Sequence, residues 1–298
     1  MDEQPKLGLA LGGGGVRGLA HVGVLKVLER EGVTPYCITG TSMGAIIGAL
    51  YAAGMSVEKI EDTVTDVVSL SNMFKLADLT YPWRGLFAGH NAVEYLRESL
   101  GADLCMEDCP IKLGVSAVDL IARELLYITS GNVVDAVRAS MSLVGVFTPV
   151  QQGKRRLADG GYLDNVPAGL ARELGADIVI AVDVGTEFAY TNGDDHGNPI
   201  NSRLPPVTPP VIEDILQLNM MMVQELVRLR LELAQPEIIL RPDVPETVGI
   251  LSGFDHIADV YEAGVAAAEE ALPRIRELVL GMPALTEPDG SPEQTETP

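Results

Sequence analysis

The chain has 298 residues, of which 47% are hydrophobic, and its 42 acidic and 21 basic side chains give a formal net charge of −21. This length and apolar content predict one large folded domain or two small ones, and they exclude disorder for most of the chain. The acidic balance argues against a nucleic-acid partner and against docking on anionic lipid, because both need surfaces rich in Lys and Arg, although an apolar patch is compatible with transient contact at a membrane surface.

The three cysteines, Cys37, Cys105 and Cys109, are too few for a disulfide framework or a four-cysteine zinc site. The first five residues include two acids where a signal peptide carries basic residues. There is also no uninterrupted run of ~18 apolar residues, the length that a membrane-spanning helix needs. We therefore predict a reducing, cytoplasmic setting.

The first 54 residues predict two strand–turn–helix units. A short apolar run at 6–11 ends in four glycines, and apolar residues at helical spacing follow it as far as residue 31. A second short run, 36–39, stops at Gly40 and is followed by a helix-forming segment, 43–53. Two such units in succession are typical of a parallel α/β sheet.

The rest of the chain continues this alternation. Further strands are predicted at 111–120, 124–129 and 177–184. Helices are predicted at 57–68, 91–100, 132–141, 166–174, 211–234 and 255–280. Because no linker divides the chain, we predict a single domain over residues 1–281. Composition predicts a long surface loop at 185–210 and a disordered, acidic and Pro-rich tail at 282–298.

Residues 40–44 read Gly-Thr-Ser-Met-Gly, a Gly-x-Ser-x-Gly pentapeptide between a predicted strand and a predicted helix. This is the context of a nucleophile elbow, a tight turn in which small residues, here Gly40 and Gly44, must flank the serine. The N-terminus of the following helix also favours developing negative charge. The pattern predicts Ser42 as a catalytic nucleophile, and an ordinary glycine turn is the alternative.

A second glycine-rich turn, residues 12–18, reads Gly-Gly-Gly-Gly-Val-Arg-Gly. Its Gly13-x-Gly15-x-x-Gly18 spacing superficially matches a dinucleotide-binding fingerprint, which makes a nucleotide-binding protein one alternative. That fingerprint needs an acidic residue at the end of the second strand, about 20 positions on, and this strand ends without one. We therefore expect the loop amides to form an oxyanion hole for the serine, and Arg17 to brace the loop or add positive potential.

A serine nucleophile needs a base, and histidine is the usual one. The chain has four histidines, each of which is more simply a packing or surface residue: His21, His90, His196 and His256. By contrast, Asp159 is followed by Gly160 and Gly161, which let another backbone approach its carboxylate closely. Alone, this Asp-Gly-Gly sequence is more often a simple turn.

Together, the three segments resemble the patatin-like phospholipase family. The glycine loop with Gly13, Gly14 and Gly15 lies in the first strand–helix unit, the serine elbow lies in the second, and Asp159 follows the serine by some 117 positions. The resemblance covers residues 6 to about 185, and residues 138–149 also look like the stretch that precedes the aspartate in bacterial members. It implies a three-layer α/β/α fold with a mostly parallel central sheet.

The resemblance also implies the chemistry. Ser42 would be the nucleophile and Asp159 the general base of a Ser-Asp dyad, with the amides of the glycine loop as the oxyanion hole and with no metal or cofactor. A free aspartate, with a pKa of about 4, is a poor base, so Asp159 is expected to be buried and hydrogen-bonded close to Ser42. The implied activity is acyl-ester hydrolysis of the phospholipase A, lysophospholipase or esterase type, through an acyl-enzyme.

An esterase of the α/β-hydrolase type, with a Ser-Asp-His triad that uses His196 or His256, is the alternative hydrolase. That fold places several strands before its elbow, whereas here only one strand precedes the unit that contains Ser42. The base is therefore the residue on which the two hydrolase hypotheses differ.

Two apolar segments bear on the substrate. Residues 72–90 contain four of the fourteen aromatic residues and are expected to form either a flexible lid or acyl-chain wall, or an ordinary cap on the core. On the predicted helix 211–234, one apolar face is expected to pack on the core: Ile212, Ile215, Leu216, Met222, Val223, Leu226 and Leu233. Met220 and Met221 widen that face, which allows a second contact with an acyl chain, a partner subunit or another helix.

Overall fold

A computed structural model describes residues 5–68, 87–185, 210–250 and 252–281. The strands within them are β1 (Leu7–Leu11), β2 (Cys37–Gly40), β3 (Lys112–Asp119), β4 (Glu124–Ile128), β5 (Val150–Gln152), β6 (Arg155–Asp159), β7 (Ile178–Val182) and β8 (Ile238–Leu240). The α-helices are α1 (Ala20–Arg30), α2 (Met43–Ala52), α3 (Val57–Val68), α4 (His90–Leu100), α5 (Val133–Ser140), α6 (Ala168–Glu173), α7 (Pro210–Ala234) and α8 (Ile257–Leu280). Short 3₁₀ helices lie at Gly15–Leu19, Met106–Asp108 and Gly160–Tyr162.

The strands form one mixed sheet in the order β5-β6-β3-β2-β1-β7-β8, and β4 pairs with β3 off this path. The pairs from β3 through β2, β1 and β7 to β8 are all parallel, whereas β4, β5 and β6 pair antiparallel. Leu11 at the end of β1 pairs with Gly40 on one side and with Val182 on the other. The carboxyl ends of these parallel strands therefore share one edge of the sheet, where the loops that follow them meet.

Helices cover both faces of the sheet. Leu7, Leu9 and Leu11 of β1 belong to a large apolar cluster that includes side chains of α1, α2, α3, α5 and α8. Ala10 belongs to a second cluster, on the opposite face, with side chains of α6 and α7. Space is tight on that face, because a Cβ atom at Gly8 would lie 2.7 Å from the Cβ of Ala176. The expected three-layer α/β/α fold with a mostly parallel central sheet is confirmed.

Most predicted strands and helices are confirmed to within two residues at each end. The predicted first helix begins instead with the 3₁₀ turn at Gly15–Leu19 before α1 starts. Three strands were not predicted: β8 and the hairpin formed by β5 and β6. The strand β6 begins at two arginines, Arg155 and Arg156, which carry no apolar signal for a strand. The predicted loop at 185–210 and the predicted tail fall almost entirely outside the described residues, and the single-domain assignment stays a prediction.

The predicted core face of α7 is right for Val223, which packs against the buried cluster beneath the helix, and wrong for the residues at which the helix faces outward. Ile215, Met222 and Leu233 are 56%, 64% and 84% exposed, whereas Val227 and Leu231 are buried against the sheet layer. Apolar residues occupy both sides of this helix, so their periodicity alone could not fix which side faces the sheet. None of the described helices is long and apolar enough to cross a bilayer.

Candidate active site

Ser42 lies in the sharp turn between β2 and α2. Its backbone has φ 52° and ψ −119°, and a positive φ is uncommon for a residue other than glycine. A Cβ atom at Gly40 would lie 2.5 Å from the Gly44 carbonyl oxygen, and one at Gly44 would overlap the Leu11 carbonyl oxygen. Both flanking positions therefore exclude a side chain. The turn holds Ser42 half-buried at the N-terminus of α2, where the helix dipole favours negative charge.

Asp159 reaches this turn because of the way β6 joins the sheet. A strand has two edges, and β4 occupies one edge of β3 over Val115 to Asp119. Both β2 and β6 must then share the other edge, where Gly40 pairs with Val115 and Asp159 pairs with Ala117. Because β2 runs parallel to β3 and β6 runs antiparallel to it, the last residues of β2 and β6 approach each other. The sheet itself therefore brings the aspartate beside the serine turn.

The carboxylate of Asp159 is only 4% exposed. It accepts a hydrogen bond from the Gly161 N–H at 2.8 Å, and the Ser42 side chain lies near enough to lower its pKa. Burial raises the pKa of Asp159 to about 6, although Gly161 and Ser42 oppose this rise. A carboxylate with this pKa binds a proton more strongly than a free aspartate does, and yet it is ionised near neutral pH. Those are the two properties that a general base needs.

The two glycines after Asp159 allow neighbouring groups to pack closely against this part of the chain. A Cβ atom at Gly160 would overlap the Ser116 hydroxyl oxygen, and one at Gly161 would lie 2.8 Å from the side-chain oxygen of Asn165. The chain passes close to β3 at this point and then folds back over its own carboxylate, where the Gly161 N–H donates to it. The Asp-Gly-Gly sequence is thus required by close packing on both sides.

The glycine loop after β1 lies directly against the serine. A Cβ atom at Gly13 would lie 3.1 Å from the Cβ of Ser42. Two hydrogen bonds join Gly13 to Asn165: the Gly13 N–H donates to the Asn165 carbonyl oxygen at 3.1 Å, and the Asn165 side-chain amide donates to the Gly13 carbonyl oxygen at 3.0 Å. The Gly13 N–H is therefore already engaged, which corrects the expectation that it serves as an oxyanion donor.

Gly14 and Gly15 come next, at the N-cap and the first position of the 3₁₀ helix. The first N–H groups of a helix have no acceptor within it. Gly15 has φ 58°, and a side chain there would overlap the backbone of Ile250, whose carbonyl oxygen accepts the Val16 N–H at 3.2 Å. The two N–H groups of Gly14 and Gly15 are consequently the candidates for binding an oxyanion.

Arg17 holds the glycine loop in place through hydrogen bonds to two backbone carbonyl oxygens that are distant in sequence. Its side chain is 7% exposed, and it donates to the carbonyl oxygens of Val184 at 2.8 Å and Val248 at 3.2 Å. Gly18 allows the 3₁₀ turn to pack on α2, because a Cβ atom there would lie 2.6 Å from the Met43 side chain. These are the contacts of residues that brace the loop.

Three residues that sequence reasoning did not assign to the site also hold it in place. The Ser140 hydroxyl accepts the Ser42 N–H at 2.9 Å, and Asn165 holds Gly13 as described above. His21 is fully buried with Nε2 2.7 Å from the Gly12 carbonyl oxygen, and burial lowers its pKa to about 4. His21 is therefore neutral near pH 7 and donates from Nε2. No motif marks these residues, because their partners are backbone groups distant in sequence.

The chain before Asp159 is tied down by Arg138. Its guanidinium donates to the Ser142 hydroxyl at 2.5 Å, to the Ala88 carbonyl at 2.6 Å and to the Thr148 carbonyl at 2.9 Å. The Ser142 carbonyl in turn accepts the Asp159 N–H at 3.0 Å. Most of the predicted lid or wall at 72–90 lies outside the described residues. The described part, from residue 87 onward, is fastened by Arg138 beside the segment that leads to Asp159.

The histidines of the alternative triad do not gather at Ser42 in the part of the chain that the structure describes. His256 is half-buried and bonded to Asp259 at 2.9 Å, and His21 is bonded to Gly12, whereas His196 lies outside the described residues. Among the described residues, no three His, Cys, Asp or Glu side chains come together in a way that could hold a metal ion.

Known proteins are similar in sequence to this chain over the residues of the candidate site. Residues 9–172, which include the glycine loop, Ser42 and Asp159, match the sequence profile described as patatin-like phospholipase. The lysophospholipase nte1 of Neosartorya fischeri is 32% identical over 308 residues, covering 98% of this chain and 20% of that protein. A patatin-like phospholipase domain-containing protein of Caenorhabditis elegans is 39% identical over 222 residues, covering 69% of this chain and 16% of that protein. The chain thus spans about a fifth of the length of these curated relatives.

A solved structure gives a likeness in fold. The crystal structure of VipD from Legionella pneumophila aligns with a TM-score of 0.53 at 17% identity, covering 91% of this chain and 67% of that one. At this identity the likeness concerns the fold alone.

Proposed function

The chain belongs to the patatin-like phospholipase family, and from this premise we propose that it hydrolyses acyl esters of lipids with Ser42 as the nucleophile and Asp159 as the general base. One observation carries the proposal: the serine of the elbow, Ser42, interacts with a carboxylate that is buried and has a raised pKa. A structural turn would need neither the strained backbone of Ser42 nor a buried acid beside it.

In the first half of the reaction, the Ser42 oxygen attacks the ester carbonyl carbon while its proton passes to Asp159. The carbonyl oxygen becomes an oxyanion, which we expect the N–H groups of Gly14 and Gly15 to bind. When the intermediate collapses, the bond from carbon to the leaving alcohol breaks and the alcohol takes the proton from Asp159. The acyl group is then held as an ester on Ser42.

In the second half, water replaces the alcohol. Asp159 takes a proton from the water as the water oxygen attacks the acyl carbon. The second oxyanion binds the same two N–H groups. Collapse breaks the bond to Ser42, and the serine oxygen recovers the proton from Asp159. Fatty acid and free enzyme result, and no histidine is needed at any step.

The substrate follows from the family and is proposed only at the level of a lipid acyl ester. Two of the relatives compared above are named lysophospholipase and patatin-like phospholipase, and this chain is much shorter than either. We keep the cytoplasmic setting as part of the proposal, since Cys37, Cys105 and Cys109 are all free thiols.

Fluorophosphonate labelling tests the nucleophile. We expect the reagent to modify Ser42, as located by mass spectrometry of the digested protein, and we expect Ser42→Ala to abolish both labelling and hydrolysis of short p-nitrophenyl esters. Ser99→Ala is the control, because the Ser99 hydroxyl donates to the Tyr95 carbonyl oxygen at 2.9 Å within α4 and its removal should change neither labelling nor hydrolysis. Label on another residue, or full hydrolysis by Ser42→Ala, would overturn the proposal.

A further inference from the structure

Two hairpin turns project beyond the carboxyl ends of the parallel strands, where Ser42 also lies. Pairing between β2 and β3 ends at Gly40 and Val115, and β3 continues past this point into the turn at 120–123. Because β6 runs antiparallel to β3, it begins beside that turn and ends at Asp159. At ~3.3 Å per residue, the start of β6 lies about 13 Å beyond Asp159. Both turns therefore extend past the candidate active site.

A buried carboxylate joins the two turns into one surface. Asp119, which is 2% exposed, accepts the backbone N–H of Ile121 at 2.9 Å and that of Arg156, near the start of β6, at 3.4 Å. The Leu120 N–H donates to the Arg156 carbonyl oxygen at 2.8 Å. These hydrogen bonds hold the backbones of the two turns in one arrangement. We call the side chains that they present the rim patch: Leu120, Ile121, Arg123, Lys154, Arg155 and Arg156.

Exposed bases make up most of the rim patch. Within the described part of the chain, the side chains of Arg123, Lys154 and Arg156 are exposed and have no ion pair or hydrogen bond. Arg155 is also exposed and lies 3.7 Å from the Asp119 carboxylate. The backbone of Arg123 has φ 61°, a conformation at which glycine and asparagine are more usual. A chain with twice as many acids as bases thus concentrates bases on these two turns.

Apolar side chains lie among these bases. Leu120 and Ile121 are 37% and 63% exposed, and Arg123 follows them in the same turn. Surfaces that bind anionic lipid combine the same two kinds of residue, because apolar groups enter between the headgroups while Lys and Arg attract the phosphates. We propose that the rim patch docks the chain on a membrane surface that carries anionic headgroups and so brings the active site to its substrate. The proposal rests on the proposed function for the presence of a lipid substrate.

The net charge of −21 does not prevent this docking at physiological ionic strength. The screening length there is about 8 Å. Asp183, which directly follows β7, is three strand spacings from β3, or about 14 Å. Residues 119–124 and 150–156 contain four bases and two acids, of which Asp119 is buried and Glu124 is exposed. The charge close to the rim patch is therefore positive, although the charge of the whole chain is negative.

The two apolar residues distinguish a lipid surface from a soluble polyanion. A polyanion needs only the bases, whereas Leu120 and Ile121 contribute to binding only when they leave water. The location also suits lipid, because the rim patch lies at the same end of the parallel strands as Ser42.

Sedimentation with vesicles tests the bases. In 150 mM NaCl, the full chain should bind phosphatidylcholine vesicles that contain 30% phosphatidylglycerol, and it should bind phosphatidylcholine alone at least tenfold more weakly. Lys154→Ala and Arg156→Ala should each weaken binding about fivefold, which is the effect of one base near an anionic surface. Lys59→Ala is the matched control and should bind as wild type does. Lys59 is an exposed base in the first turn of α3, which follows the end of α2 opposite to Ser42.

Substitutions at Ile121 test the apolar part. Ile121→Ser should weaken binding to the anionic vesicles, and Ile121→Trp should strengthen it, because tryptophan favours the interface between membrane and water. Retention of both variants on heparin, a soluble polyanion, should equal that of wild type. Melting temperature is the folding control for every variant.

Hydrolysis separates this inference from the proposed function. The double variant of Lys154→Ala and Arg156→Ala should hydrolyse vesicle lipid more slowly, in proportion to its weaker binding, and should keep wild-type kcat/KM on a soluble p-nitrophenyl ester. A chain that binds anionic vesicles and hydrolyses neither substrate would refute the hydrolase and support the docking surface.

Three results would overturn the docking proposal: a wild-type chain that does not bind anionic vesicles, Lys154 and Arg156 variants that bind them as well as wild type does, or Ile121 variants with unchanged vesicle binding. The last result would make the rim patch a site for soluble anions.

Discussion

Asp159 and Asp164 are two buried carboxylates five residues apart, and only one of them meets the serine. Asp164 is 3% exposed and accepts the Tyr127 hydroxyl at 2.5 Å, and burial raises its pKa to about 6, as it does for Asp159. The pair therefore shares burial and a raised pKa, and differs in its contact with Ser42. This makes Asp164 a close control for the base assignment.

Asp159→Asn should lower turnover of a soluble ester by about 100- to 10,000-fold, because a carboxamide cannot accept the serine proton. Asp164→Asn should remain within a few-fold of wild type, and so should His256→Ala. Steady-state kinetics on all three variants, with melting temperature as the folding control, separates the cases. An active Asp159→Asn beside an inactive His256→Ala would restore the triad.

The Asp159 carboxylate should lower the free energy of unfolding at high pH. Its pKa is raised on folding, so the stability that it contributes is fully present below about pH 4 and is lost as pH rises through about 6. Asp159→Asn should consequently gain up to about 3 kcal/mol in unfolding free energy at pH 8, and about half of that at pH 5. Urea unfolding at both pH values measures this.

An Asp159→Asn variant that is less stable than wild type at pH 8, with no improvement from pH 5 to pH 8, would contradict this placement of the carboxylate.

The raised pKa of Asp159 also predicts that kcat/KM of the wild-type chain falls below about pH 6, because protonated Asp159 cannot act as a base.

Asn165→Ala tests the position of the glycine loop. It removes the hydrogen bond to the Gly13 carbonyl and leaves the backbone bond between the two residues in place. A small displacement of the loop should lower kcat by up to about 100-fold with a smaller change in KM, because the oxyanion forms only after substrate binds. The measurements are kcat, KM and melting temperature. Normal kcat in a folded variant would show that the loop keeps its position without this clamp.

At the scale of elements, the glycine loop is confined on all sides. Gly15→Ala forces both a positive φ and an overlap with the Ile250 backbone, so we expect a loss of unfolding free energy well above the roughly 1–2 kcal/mol of a positive φ alone. Gly32→Ala is the matched control, because Gly32 has φ 69° but nothing within 4 Å of an added Cβ atom. Denaturant unfolding compares the two. Equal losses would mean that the loop and residue 250 are not in contact.

The hairpin of β5 and β6 matters more to the site than its length suggests. It is short, and its residues from Gln151 to Arg156 are exposed, yet it places Asp159 by pairing with the part of β3 that lies beyond the end of β2. Helix α7 also contacts this region, because the Arg230 guanidinium donates to the carbonyl oxygen of Leu163 in the loop that follows Asp159.

At the scale of the whole molecule, the site is assembled from four loops that lie far apart in sequence. The glycine loop and the serine turn follow neighbouring parallel strands, so they meet at one edge of the sheet. The loop after Asp159 and the segment 244–250 close it from the other sides through Asn165 and Arg17. Much of the rest of the chain is helix that covers the two faces of the sheet.

The sequence alone determined the serine elbow, the glycine loop and the alternation of strands and helices. Each of these depends on local geometry: a tight turn admits only glycine beside Ser42, and buried strands and helices impose their own apolar spacing. Asp159 was found in the sequence by its resemblance to a family motif, since Asp-Gly-Gly by itself indicates no more than a turn.

Only the tertiary structure decided how these pieces meet. The strand β6 has exposed polar residues and no alternation, so its pairing with β3 depends on a free sheet edge more than 35 residues away in sequence. Asn165, Ser140 and His21 bind backbone groups whose positions exist only once the sheet has formed. The rotation of α7 was also undetermined, because both of its sides are apolar and the choice between them is made by contacts of Val227, Arg230 and Leu231 with the folded sheet layer.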